Sequence, residues 1–177
     1  MKNRILVQFL AIFLVTSLAY SAKQEKYLSP DGRYRAFVSA LGGIRSGESM
    51  VVIKTKEGIT IFSKSYGSED GEHGYGVVQA AWTPNSTFFV YSLASSGGHS
   101  PWHTPIHYIS VRDLKIRSLD DYIGAVTQPQ FEVRAPDTIK AVGASWVLGK
   151  GLGEESPFEV SLSELVAREN KKCKNST

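Results

Sequence analysis

The feature that most restricts this chain is a proline turn that recurs at near-equal intervals. It appears in "YLSPDGRYRAFVS" (27–39), "AWTPNSTFFVYSL" (81–93) and "RAPDTIKAVGAS" (134–145). Each stretch has a small residue, proline, Asp or Asn, a small or polar residue, and then an apolar run. Pro30, Pro84 and Pro136 lie 54 and 52 positions apart. Self-similarity at a period of about 50 residues marks repeated supersecondary units. Proline pre-sets the first turn dihedral, and Asp or Asn bonds to the turn's own backbone. The β-branched and aromatic run that follows, as in "TFFVYSL", favours a strand. Hairpins are therefore expected for residues 76–82 with 87–93 around "TPNS", for "VVIKTKEGITIFS" around "KEG", and for "YISVRDLKIRSL". Helical periodicity is missing until "SLSELVAREN". The pattern predicts an all-β fold of antiparallel sheets, built from two to three repeats and closed by one short C-terminal helix. The repeat units run over about 27–75, 76–133 and 134–166, inside a single β domain at 23–170.

The first two units carry a resemblance. "LSPDGRYRAFVS" and "AWTPNSTFFVYS" resemble the W-S-P-D-G-K-x-hydrophobic-A-F-S signature of TolB-type β-propeller (WD-repeat-like) proteins. "ISVRDLKIRSL" resembles the second half of the same repeat. Leu28 stands where the repeat has tryptophan, and "PNS" replaces "PDG" in the second unit. The resemblance implies propeller-blade-like sheets, a periplasmic setting, and protein or ligand contact as the use. It implies no particular function for so short a form. Propellers close with about four to eight blades. Two to three units would instead pack face to face, or dimerise across unpaired edges.

The N-terminus "MKNRILVQFLAIFLVTSLAYSAKQEK" has the parts of a secretory signal peptide: Lys2 and Arg4, an apolar stretch from Ile5 to Val15, then small residues offering cleavage after Ala19 or Ser21. Residues 1–22 are read as this leader. The apolar stretch is short of the roughly 20 residues that a spanning helix needs. The expectation is an exported protein, periplasmic or extracellular, with no membrane span after cleavage. Without Lys2 and Arg4 the 20 Lys and Arg residues become 18, against 17 Asp and Glu. That balance argues against a nucleic-acid partner, which needs a clustered basic face. The one basic run is a tail at 171–177. It holds the single cysteine, Cys173, so no intrachain disulfide forms. The expected partner is an envelope or secreted protein or a small ligand, bound by a monomer or homodimer.

All four histidines fall in two glycine-rich loops, "YGSEDGEHGYG" (66–76) and "SSGGHSPWHTPIH" (95–107). The first enters strand 76–82 and the second leaves strand 87–93. A hairpin around "TPNS" sends both loops to the end opposite that turn. Loops on a rigid β scaffold are where binding concentrates. His73, Tyr75, His99, Trp102, His103 and His107 are the candidate contact residues. The four-residue spacing of His99, His103 and His107 would face one way on a helix. Pro101, Pro105 and Gly97-Gly98 exclude that helix. A loop metal site remains: zinc takes imidazole and carboxylate ligands, and a catalytic site needs three plus an open position. His99 and His103 with His73, Glu72 or Asp70 could supply them, although no recognised ligand spacing is present. Trp102 and the histidines could equally pack over the loop base.

Other chemistry is less supported. No "G-x-S-x-G" elbow occurs, and "GKGLG" (149–153) lacks the Walker spacing. Asp120 and Asp121, read as a strand end, would point oppositely. The residues point to a non-enzymatic binding or interaction protein without a cofactor. The alternatives are a zinc-dependent enzyme such as a hydrolase, or a small inhibitor or immunity-type protein that uses these loops as a plug.

Overall fold

Each proline turn joins two strands of an antiparallel sheet. The computed structural model describes residues 24–42, 47–97, 103–147 and 151–174. The first sheet is a meander of β1 (Gln24–Leu28), β2 (Tyr34–Leu41), β3 (Glu48–Thr55) and β4 (Thr60–Ser65). The second repeats it with β5 (Tyr75–Trp82), β6 (Phe88–Ser95), β7 (Ile106–Ser110) and β8 (Ile116–Ser118). A short helix, α1 (Asp120–Ile123), leads to β9 (Ala125–Val126), β10 (Glu132–Arg134) and β11 (Thr138–Ala144). A small pair, β12 (Trp146–Val147) with β13 (Gly151–Leu152), precedes β14 (Ser156–Ser161) and helix α2 (Leu162–Lys174). In the third sheet β11 is central, bonded to β14 on one side and to β9 and β10 on the other. The fold is all-β with antiparallel sheets, and one short helix closes the chain.

The first two turns are built alike, bond for bond. Ser29 N donates to Tyr34 O, and Thr83 N to Phe88 O. The buried hydroxyls of Ser29 and Thr83 each donate to the turn carboxylate or amide, Asp31 Oδ1 at 2.8 Å and Asn85 Oδ1 at 2.7 Å. They accept from Tyr34 N and Phe88 N in return. Gly32 and Ser86 take the left-handed position, with φ of 71° and 59°. Glycine adopts this without strain, whereas Ser86 bears a Cβ there. The Ser86 hydroxyl is tied across units, accepting from Asp31 N at 3.0 Å. Asn85 reaches on to the third turn, through its N–H to Pro136 O and its Nδ2 to Asp137 Oδ2 at 2.9 Å. The turns thus form a chain that links all three sheets at one end.

The second sheet is the middle layer. Along β6, Phe88 and Val90 face a core shared with Ile139, Ala141, Leu162 and Leu165. Phe89, Tyr91 and Leu93 face the opposite core, shared with Ala36, Val38, Val51 and Ile53. A strand covered on both faces reads as an unbroken apolar run, which is what "FFVYSL" is. Burying such a side chain fully is worth about 1.5–3 kcal/mol against leaving it exposed, so β6 contributes to both cores. Trp82, just before the second proline turn, lies in the core shared with the first sheet, beside Phe89 (5.1 Å between centroids) and Tyr34 (6.0 Å). Its Nε1 donates to Tyr27 O at 3.0 Å. Leu28, the equivalent residue of unit one, is 57% exposed. The position packs against the preceding sheet, and no strand before β1 is among the described residues.

Helix α2 docks by one apolar face and two polar clasps. Leu162 and Leu165 are buried. The Arg117 guanidinium, buried on β8, bridges Asp113 at 2.7 Å and Glu169 of α2 at 2.6 Å. Buried Asp137 accepts from Ser161 Oγ and from Ser163 Oγ at the start of the helix. The helix continues into the stretch read from sequence as a basic tail, where Lys171, Lys172 and Lys174 stay exposed. Asp120 and Asp121 begin α1 and do not end a strand. No helix among the described residues is long and apolar enough to cross a membrane.

Candidate functional site

The pairing of β5 with β6 brings the two histidine-bearing loops together, as connectivity predicts. Tyr75 pairs with Ser95, and Ser96 N donates to Gly74 O at 3.0 Å. The centre of this junction is Glu48, 3% exposed at the start of β3. Its Oε1 accepts from Gly74 N at 2.8 Å, from Ser96 Oγ at 3.3 Å and from Ser68 Oγ; its Oε2 accepts from Ser68 N at 3.1 Å. These donors, with the Ser68 hydroxyl foremost, hold the carboxyl below its ordinary pKa. One side chain therefore joins β3, the 66–74 loop and the segment after β6. Gly74 makes this approach possible: a Cβ there would lie 2.4 Å from Glu48 Oε1 and 2.3 Å from Tyr66 O. Sequence reasoning missed Glu48. Its place in the strand matches the outward-facing Met50 and Val52, so alternation assigns it to solvent. The loop that folds over it is remote in sequence.

Within the first loop Asp70 is the organiser. Its Oδ1 accepts from Glu72 N at 2.9 Å and His73 N at 3.2 Å and shares the Ser68 hydroxyl, 2.8 Å away, with Glu48; its Oδ2 pairs with His73 Nδ1. The Glu72 backbone N–H, then Ser68 and His73, push the Asp70 carboxyl far down. Asp70 in turn raises the His73 imidazole above 6.5. Asp70 and Glu72 line an acidic hollow of about 590 Å³ with Glu48 and Glu69.

Beside it, between the first and second sheets, is a cleft of about 690 Å³ of different character. Tyr66 and His107 of its lining belong to a hydrogen-bonded row that starts at buried Tyr91: Tyr91 Oη to Tyr66 Oη at 2.7 Å, and Tyr66 Oη to His107 Nδ1 at 2.9 Å. The three rings meet in tilted and edge-on contacts near 6 Å. Satisfaction of its buried protons fixes Tyr91 as the donor to Tyr66, and the direction that keeps every proton within the row is assigned to the remainder. Tyr91 is fully buried, and among the described residues its hydroxyl has Tyr66 as its partner. If His107 donated to Tyr66 and Tyr66 to Tyr91, the Tyr91 proton would be buried without an acceptor, a cost of about 1–3 kcal/mol. With Tyr91 donating to Tyr66 and Tyr66 to His107 Nδ1, every proton is used. His107 is then the neutral tautomer that carries its proton on Nε2. Burial works the same way, pushing the His107 pKa below 6.5 against the opposing influence of Asp120 and Asp121, while Lys64 adds to the decrease.

Tyr75 and Ile116, 41% and 37% exposed, rim the cleft with Leu93 and Pro105. Lys64 and His73 line it as well, and no Asp or Glu is among the described residues that do. The structure thus collects His73, Tyr75 and His107 in one cleft. His103 is half-buried on a segment that Thr104 ties to β9 through its N–H to Val126 O, and it does not line the cleft. His99 and Trp102 lie outside the described residues. Among the described residues no three of His, Cys, Asp or Glu are grouped to hold a metal ion. No protein-family model matches the chain, and no curated protein matches it.

Proposed function

We propose that the chain is an exported, non-enzymatic binding protein that takes its ligand at the loop end, in the cleft between the first two sheets. The observation that carries this reading is the composition of the cleft. Its volume is within the ordinary range of ligand sites, about 300–1,000 Å³, and it combines the exposed apolar surface of Tyr75 and Ile116 with a few fixed polar groups. Tyr75 and Ile116 would supply contact area, and the Tyr91–Tyr66–His107 row would supply orientation. The 66–74 loop is held by Glu48 and Asp70, so little ordering cost is left to binding there. The matching turns of the first two units support the likeness to TolB-type blades, and with it a periplasmic or extracellular setting.

The test is ligand-observed NMR on the full chain with a mixed set of small aromatic acids, bases and neutral molecules. Hits that disappear in Tyr75→Ala and in His107→Gln support the cleft as the binding site. No hits, or hits untouched by both substitutions, refute it.

A further inference from the structure

The charge and hydrogen-bond character of the cleft define the chemistry of what enters it. This inference rests on the cleft being the binding site. The row from Tyr91 through Tyr66 occupies His107 Nδ1 and leaves Nε2–H as the ring's remaining donor. The Lys64 ammonium sits over the same Tyr66 ring, 5.7 Å from its centroid, so it and His107 flank one tyrosine. His73 also lines the cleft and is already paired with Asp70. None of the neighbouring carboxylates lines the cleft: Glu69 and Glu72 line the adjoining hollow, and Asp70 is paired with His73. Glu48 is occupied by four donors from the loops. Asp120 accepts from Ser118 Oγ and Val126 N, and Asp121 lines a separate groove beside α2. The lining thus combines two imidazoles and one lysine with the apolar surface of Tyr75, Leu93, Pro105 and Ile116.

We propose that the cleft receives a small organic acid: a carboxylate that accepts from His107 Nε2–H and faces the Lys64 ammonium, joined to an apolar body of about one ring that lies against Tyr75 and Ile116. A neutral imidazole donor beside an ammonium stabilises a carboxylate by one hydrogen bond and one unlike charge. The same pair repels an amidinium.

Two measurements on the isotope-labelled full chain test this. Long-range proton–nitrogen correlation at pH 7.5 reads the His107 tautomer. Protonation on Nε2 is expected, and protonation on Nδ1 overturns the proposal. Titration at low ionic strength with benzoate, benzamide and benzamidine then reads the His107 and Tyr75 resonances. Saturable shifts with benzoate, at least tenfold weaker with benzamide and in Lys64→Met, are expected. Lys64 is exposed on β4, so Lys64→Met leaves the core intact. Benzamidine binding as well as or better than benzoate overturns the acid assignment and leaves the binding cleft standing. Silence of these resonances toward all three probes overturns the acid assignment, and the broader reading then stands or falls on the mixed-library screen.

Discussion

Removing the hydroxyl of Tyr66 and removing that of Tyr91 delete the same hydrogen bond, yet the two changes should differ in cost. Tyr66→Phe takes the acceptor from Tyr91 and the donor from His107. The Tyr91 hydroxyl is then left unpaired in a fully buried position, which costs about 1–3 kcal/mol. His107 Nδ1 loses its donor too, but His107 lines an open cleft where water can reach it. The total is about 2–3 kcal/mol. Tyr91→Phe removes a proton donor and leaves the Tyr66-to-His107 bond in place, so it costs the net value of one hydrogen bond, about 0.5–1.5 kcal/mol. In the double variant the buried orphan is gone, and its cost should be no greater than that of Tyr66→Phe alone. The ring contacts survive in all three. Urea unfolding of the full chain with constant m-values reads these differences. A gap of 1 kcal/mol corresponds to roughly 2–4 °C in Tm for a domain of this size. If Tyr91→Phe is neutral or stabilising, the Tyr91 proton has no acceptor in the native chain and the direction assigned to the row is wrong. The Nε2–H donor of His107 falls with it.

The two cleft histidines should titrate on opposite sides of 6.5, His107 below it because of burial and His73 above it because of Asp70. The His107 contribution to stability is full above pH 6.5 and lost as pH falls toward its folded value. The His73 contribution is full below 6.5 and lost as pH rises through its folded value. Ring-proton NMR titration checks this, and an inverted order refutes it. Gly74→Ala should unfold the loop junction, because its Cβ would collide with Glu48 and the Tyr66 carbonyl. Gly32→Ala has no neighbour within 4 Å and should cost only the left-handed penalty, about 1–2 kcal/mol; equal thermal shifts would contradict the collision. Asp137→Ala, which removes the acceptor shared by Asn85, Ser161 and Ser163, should destabilise by about 3 kcal/mol. It should also release amide exchange protection in α2 before the sheets. Elemental analysis of the full chain, made without a histidine tag, should find no stoichiometric transition metal. One equivalent of zinc lost in His73→Ala, His103→Ala would replace the binding reading with the metal-dependent one.

The proline turns were legible in the sequence because each is decided within a few residues. Ser29 or Thr83, proline, and Asp31 or Asn85 bond to one another and to the strand that starts five residues on. The hairpins followed from the same signals. The meeting of the 66–76 loop with the start of the 95–107 loop, at Ser95 and Ser96, followed from one hairpin, since a turn at one end fixes the neighbours at the other. Sequence alone also showed "FFVYSL" to be a strand. That both of its faces are buried was decided by the stacking of three sheets, and the exposure of Leu28 against the burial of Trp82 has the same origin. Glu48 and the Tyr91–Tyr66–His107 row carried no local signal. Their partners are 20 to 48 residues away for Glu48, and 25 and 41 for Tyr66. A carboxylate in an outward strand position and a histidine in a proline-rich loop have no fixed chemistry of their own. They acquire it when a neighbouring sheet removes water and brings donors, and that depends on tertiary contacts that no short stretch of chain contains.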